Sequence, residues 1–277
     1  MPRKFAVLTT FNQQGLQLYG QRFINSFVDR MPDEVKFYIY AERCSPAVRK
    51  SNHRIEILDH ERTLPQMIEF KKRYKNDPRA NGQSPDKKRL DHRKAFKWDA
   101  IKFCNKVYAV CDAARRAKKE GHDVLIWMDA DSYLHTKMPI GFLEKFVPND
   151  VLITYLGRGH KYSECGWYSI NLNHKDCDDF INAFQQMYDD AENGIFKEIE
   201  WHDSYIFDRV REKFEQQKGT KNKNVSSGIV GEGHPIINSE LGAYLDHMKG
   251  DRKRFGISEK KDLKNMARTE DYWKGLR

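Results

Sequence analysis

Short apolar runs alternate with longer stretches of helical periodicity along this chain. Residues 5–10, FAVLTT, form a brief apolar run closed by polar residues, which predicts a buried strand. Over residues 16–30, Leu16, Tyr19, Phe23 and Phe27 recur at helical spacing. Residues 35–40, VKFYIY, alternate and are rich in β formers, so a second strand is expected there, with a short third one at 54–58. A long amphipathic helix is predicted over 96–117, with Ile101, Cys104, Val107, Tyr108 and Cys111 on one face. Residues 124–128, VLIWM, and 151–155, VLITY, read as further strands, and 176–190 and 203–216 as helices. Strands alternating with helices predict an α/β fold with βαβ units and a mainly parallel central sheet. No internal repeat and no linker divides the chain.

Sheets of this kind bind ligands beyond the carboxyl ends of their strands. The residues just after each apolar run are therefore the candidates: Thr9, Thr10 and Asn12; Ala41 and Glu42; Asp129-Ala130-Asp131; and Gly157-Arg158. The strongest is the D-A-D triplet. Two carboxylates one residue apart at a strand end can be aimed at one point, where they repel unless a cation lies between them. Hard oxygen ligands suit Mg²⁺ or Mn²⁺, which also bridge a diphosphate. The alternative is a solvated turn that merely ends the strand. The chain has no G-x-x-x-x-G-K-[ST] loop, no dinucleotide fingerprint and no G-x-S-x-G elbow.

Composition narrows the class. The 277 residues carry 49 Lys/Arg and 40 Asp/Glu, a formal charge of +9, with 39% apolar and 12% aromatic residues. That is enough to bury a core and too aromatic for a disordered chain. No apolar stretch is long enough to span a bilayer, and the first residues read as a strand, not a signal peptide. Five cysteines without a C-x-x-C pair argue against a disulfide framework, and a reducing cytoplasm is expected. The charge is concentrated. Residues 71–97 hold eleven Lys/Arg and three Asp/Glu, a local +8, and 249–277 add +5, leaving the rest net −4. The first segment is broken by Pro78, Gly82 and Pro85, so an exposed basic loop is expected to enter a helix near Leu90. It reads either as a solvated insertion or as a docking surface for a polyanion.

Near the end of the chain stands His247-x-x-Gly250-x-x-Lys253. Together with D-A-D, it resembles the retaining glycosyltransferases of family 8, the group containing glycogenin and bacterial lipopolysaccharide galactosyltransferases. The segment Glu164-Cys165-Gly166 through Leu172 resembles the family's N-A-G-V-x-x-x-N-L run, and His202-Asp203-Ser204 its D-Q element. Glu164 stands where the family has Asn, Ser204 where it has Gln, and the family's Asp near the first strand end has no counterpart after Thr10. The resemblance covers roughly residues 5–258. It implies a single Rossmann-like A-type glycosyltransferase domain over 1–258, with a basic insertion at about 71–95 and a basic tail at 259–277.

The resemblance further implies that His247 is the third protein ligand, beside Asp129 and Asp131, of Mn²⁺ or Mg²⁺. Gly250 would let the chain approach a diphosphate and Lys253 would neutralise it. Gly166 would touch the donor sugar, Asp203 would hold its hydroxyls, and Lys97 or Lys102, on the helix before D-A-D, would contact the donor. Thr9, Thr10 and Asn12, at the first strand end, are expected near the base and ribose. Glu164 is the one carboxylate expected where a catalytic group would act. The implied reaction is transfer of a hexose or pentose from a nucleotide diphosphate, a UDP-sugar foremost, to a hydroxyl with retention. The +8 segment favours an anionic acceptor, either a hydroxylated base in DNA or a saccharide or glycolipid. Two other classes compete: a nucleotidyltransferase, which also needs paired carboxylates, and a non-catalytic nucleic-acid-binding protein.

Overall fold

The computed structural model describes residues 2–49, 52–83, 92–226, 234–264 and 268–276, with only the backbone for 92–94. Among the described residues nine strands occur: β1 (Phe5–Asn12), β2 (Lys36–Glu42), β3 (Ile55–Asp59), β4 (Val124–Met128), β5 (Ser132–Leu134), β6 (Ile153–Tyr155), β7 (Trp167–Asn171), β8 (Asn222–Asn224) and β9 (Leu245–His247). The main helices are α1 (Gln21–Arg30), α2 (Pro65–Tyr74), α3 (Ala100–Lys119), α4 (Cys177–Asp189) and α5 (Asp203–Lys218). Seven strands form one sheet in the order β3-β2-β1-β4-β7-β6-β8, and β5 pairs with β9 in a small second sheet. The fold is α/β and Rossmann-like: β3, β2, β1 and β4 run parallel, as do β6 and β8, while β7 runs antiparallel to both its neighbours.

Burial on both faces explains the apolar strands. On β1, Ala6 and Leu8 face one core with Leu125, Trp127 and the helices α2 to α5. Phe5 and Val7 face the other, with Phe23 and Phe27 of α1. The stacked pair Phe27–Phe37, with ring centroids 4.1 Å apart, fastens α1 to β2. The helical run begins before α1: residues 13–15 are α-helical, and 16–20 widen into one π-type turn carrying Tyr19. Asp99 starts α3 by accepting the Lys102 backbone N–H at 3.1 Å.

Three features place chemistry at one edge. The carboxyl ends of β1 and β4 lie side by side there. Because β7 is reversed, its beginning lies at the same edge, and Asp129 N donates to Gly166 O at 2.9 Å. The β5–β9 pairing sets Ser132 opposite His247, and Met248 N donates to Asp131 O at 3.1 Å. A histidine more than a hundred residues distant is thereby brought beside the D-A-D turn.

The segment 71–97 is less loop-like than its composition predicts. It begins inside α2, buries Tyr74 and Ala80, and re-enters the described chain in a 3₁₀ stretch, His92–Trp98. Lys71 pairs with Glu42, Arg79 with Asp77 and Glu192, and Lys97 with Glu200. The expected entry near Leu90, and Lys87, Lys88 and Arg89, lie outside the described residues. No helix among the described residues is long and apolar enough to cross a membrane. All five cysteines are free, and Cys104, Cys111, Cys165 and Cys177 are buried.

Past residue 258 the chain packs back onto the sheet that carries His247. Trp273 is buried and donates its indole N–H to Gly242 O at 2.7 Å, and Tyr272 donates to Asp246 Oδ2 at 2.7 Å. Trp273→Ala should therefore cost about 3–5 kcal/mol, read as a lowered urea midpoint. A change within error would show that the C-terminal segment rests on the domain without stabilising it.

Candidate functional site

Asp129 closes β4, and its two oxygens have different surroundings. Oδ1 accepts from Trp127 Nε1 at 2.7 Å and lies 3.3 Å from Lys106 Nζ. Oδ2 faces His247 Nε2 at 3.6 Å. Asp131 is divided similarly: Oδ2 meets Lys253 Nζ at 2.6 Å, whereas Oδ1 lies 3.1 Å from His247 Nε2 and is buried without a hydrogen bond. One ligand atom each from Asp129, Asp131 and His247 lies within 4.8 Å of the others. Two carboxylates and an imidazole make a donor set suited to Mn²⁺ or Mg²⁺. The unused Asp131 oxygen and the outer contacts that fix Asp129 fit such an ion.

The charges of the metal-free site are mutually dependent. Burial alone would lower the pKa of His247, but Asp131 and Asp129 overcome it and push it up to about 9. Burial alone would raise Asp129, yet Lys106 and His247 hold its carboxyl well below the usual range. The imidazolium thus supplies the positive charge that a divalent ion would bring.

Beside this trio lies a buried lysine. Lys106 Nζ reaches Asp203 Oδ2 at 2.7 Å, Asp129 Oδ1 and the Cys165 carbonyl. Burial opposes its charge, and the two carboxylates prevail, holding its pKa well above the ordinary value. Asp203 is the first residue of α5, and His202 is the cap, its Nδ1 accepting from Tyr205 N at 3.3 Å.

The sequence-predicted residues distribute as follows. Asp129, Asp131, His247 and Lys253 meet, and Asp203 joins them through Lys106. Gly166 is adjacent: a Cβ there would lie 2.7 Å from His247 Cε1 and 2.9 Å from Ile236 Cδ1, so its lack of a side chain makes room for the imidazole. Gly250 adopts φ +56° with open space around it, so its backbone conformation, and not crowding, calls for glycine. Glu164 is bound by Lys249, lies 3.8 Å from Arg158 and accepts the Gly166 N–H at 3.2 Å. Burial would raise its pKa, but Lys249, His247, His234 and Arg158 hold it far below the ordinary value.

Other expectations need correction. Thr9 is fully buried with an unpaired hydroxyl, so β1 hides it from any ligand. Thr10 donates to Tyr40 O at 2.8 Å, and Asn12 accepts from Gly15 N at 2.9 Å. Lys97 is taken by Glu200, and Lys102 is exposed with its ammonium 5.6 Å over the Phe103 ring. The basic residue of this helix that reaches the site is Lys106, one turn beyond Lys102. The signal was present: Lys106 stands just before the unbroken apolar run 107–111, so α3 is buried on that side and a lysine there needs partners. Sequence reasoning also missed His234, whose Nε2 lies 2.5 Å from His247 O and braces β9.

No protein-family model and no curated protein sequence matches the chain. Among solved structures it is similar to the apo structure of the bifunctional glycosyltransferase WbbM, at 11% identity and a TM-score of 0.43, over 76% of this chain and 38% of that one. It is also similar to apo mouse xyloside xylosyltransferase 1, at 10% identity and a TM-score of 0.43, over 80% of this chain and 85% of that one. The chain thus spans well under half the length of WbbM.

Two outcomes follow from the geometry. Gly166→Ala should push His247 aside and weaken Mn²⁺ binding at least about tenfold while the chain stays folded, as read by calorimetric titration; unaltered affinity would detach Gly166 from the metal centre. A metal must also displace the His247 proton. Its affinity should therefore rise with pH, by about tenfold per unit below pH 9, and flatten above. A flat profile between pH 6 and 9 would remove His247 from the ligand set.

Proposed function

We propose that this chain is a metal-dependent glycosyltransferase that moves a sugar from a nucleotide diphosphate, a UDP-sugar foremost, to a hydroxyl acceptor. The observation that carries the reading is the convergence of Asp129, Asp131 and His247 at the carboxyl edge of the sheet, with Lys253 beside them. Asp129, Asp131 and His247 would hold Mn²⁺ or Mg²⁺, which when bound neutralises charge on a leaving diphosphate. Without donor, the Lys253 ammonium rests on Asp131; in the reaction it turns to a phosphate oxygen and stabilises the same developing charge. The positive φ at Gly250 forms the turn that presents Lys253 to the site.

Asp203 accepts sugar hydroxyls in this reading, with Lys106 holding its carboxylate in one orientation. Glu164 plays a supporting part. A base must have a pKa near the working pH, and a carboxylate held low by Lys249 is a poor one. It keeps Lys249 and the Gly166 turn in position. Among the described residues each carboxylate of the site is paired with a lysine, so none is offered as an inverting base, and retention at the anomeric carbon fits better than inversion. The acceptor hydroxyl belongs to a hydroxylated base in DNA or to a saccharide or glycolipid.

The test is a calorimetric titration of UDP and other nucleoside diphosphates with and without Mn²⁺, followed by hydrolysis of the matching donor sugars. Nucleotide binding indifferent to the metal, or its survival in Asp131→Asn, would overturn the reading. Asp203→Asn should lower turnover by more than about tenfold while UDP affinity stays within about threefold, because sugar positioning acts in the transition state. Equal losses in both would remove Asp203 from the sugar subsite.

A further inference from the structure

Beside Asp203 two stretches of chain form one rim. Trp201 N donates to Lys97 O at 2.6 Å and Trp98 Nε1 to Ile199 O at 3.0 Å, so residues 96–98 lie along 199–202. The rim holds two large apolar side chains in solvent: Phe96 is 46% exposed and Ile199 76%. Phe96 is supported from behind. Its ring lies 5.6 Å from the His202 imidazole, which lies 5.2 Å from Tyr162. His202 directly precedes Asp203, so this aromatic stack adjoins the carboxylate that Lys106 holds.

Exposed cations lie on the two helices that adjoin this rim. Gly82 N donates to Trp98 O at 3.1 Å, which brings the chain after α2 alongside. Tyr74 at the end of α2 packs on Phe196, and Phe196 on Trp201, with centroids 5.1 and 5.0 Å apart. Around that junction Lys72, Arg73 and Lys75 are exposed and have no carboxylate partner among the described residues. Lys102 is exposed on α3 beside Phe103. The basic residues of this region that do have partners, Lys71, Arg79 and Lys97, are tied into the fold.

An apolar or neutral saccharide partner would leave the four unpaired cations without a counterpart. A strand of nucleic acid matches both features, because its bases stack on exposed rings and its phosphates meet lysine and arginine. We propose that this rim docks a polynucleotide with unstacked bases, one base lying on Phe96 beside Ile199 and phosphates on Lys72, Arg73, Lys75 and Lys102. The strand would be the acceptor, a role that rests on the glycosyltransferase reading; the docking itself does not need sugar transfer.

The experiment is fluorescence anisotropy of a labelled 12-nucleotide oligo-dT with the full chain at 50 and 200 mM salt. Binding should weaken steeply with salt. Phe96→Ala should weaken it by about 5- to 100-fold, and Phe96→Trp should retain it, which separates loss of stacking from loss of fold. Replacing Lys72, Arg73 and Lys75 with Ser should flatten the salt dependence. The proposal is overturned if no binding occurs at 50 mM salt or if Phe96→Ala binds like wild type. It is also overturned if a sulfated oligosaccharide displaces the probe as well as unlabelled oligo-dT does, which would make the rim a general polyanion surface. Mn²⁺-dependent UDP binding by the wild-type chain, measured in parallel, tests the glycosyltransferase reading separately.

Discussion

Lys106 carries its ammonium into a buried position, where it meets Asp129, Asp203 and the Cys165 carbonyl. A lone charge at that depth costs several kcal/mol, and removing one partner of such a pair typically destabilises by about 3–5 kcal/mol. The three oxygens come from the end of β4, the turn before β7 and the start of α5. Their relative positions are therefore fixed by one side chain rather than by sheet pairing alone. Asp203 gains further support from its place in the first turn of α5, where a negative charge meets the positive end of the helix dipole.

A second constraint comes from the opposite side of the site. Asp246, between Leu245 and His247, accepts from the His247 N–H at 2.7 Å, from the Ser258 N–H and hydroxyl, and from the Tyr272 hydroxyl. His234 reaches the His247 carbonyl from the far side. The imidazole is thus held by its backbone, and its ring is confined by Gly166. Lys106 orders the β4 side and Asp246 the β9 side, and Asp129, Asp131 and His247 lie where the two meet.

The sequence made β1, β2 and β4 visible because they are buried on both faces and therefore largely apolar, whereas the half-exposed edge strand β3 shows only as a short β-rich run, IEILD. The D-A-D turn was visible for the same reason: it follows a strand with no polar residue. β7 was harder, since Ser169 lies in the middle of Trp167–Asn171 and the reversal of a strand leaves no periodic trace. β5, β8 and β9 have three residues each, too short for any period to register. The site residues quoted from motifs converge where motif order led one to look. Lys97 and Lys102 lie apart from the Asp129–Asp131–His247 group for a geometric reason: α3 starts at Ala100, and the turn that faces the sheet edge is the one carrying Lys106. The basic segment misled through composition, because ion pairs with Glu42, Asp77, Glu192 and Glu200 draw part of its charge into the fold.

On the glycosyltransferase reading, charge balance at the site bears on how metal and donor would bind. Four carboxylates, Asp129, Asp131, Asp203 and Glu164, face Lys106, His247, Lys253 and Lys249, and Arg158 adds a fifth positive charge 3.8 Å from Glu164. A divalent ion alone would add two positive charges, expel one proton from His247, and leave Lys253 competing with it for Asp131. In a buried setting such a surplus is costly. A diphosphate brings the missing negative charge and gives Lys253 a new partner. Metal and nucleotide diphosphate should therefore bind with positive coupling, each reducing the other's electrostatic cost, and by linkage the coupling is equal in both directions. The two lysines at the site differ in exposure. Lys106, buried against three oxygens, keeps the carboxylates charged and aimed. Lys253, a third exposed, could change partner to a diphosphate on that reading.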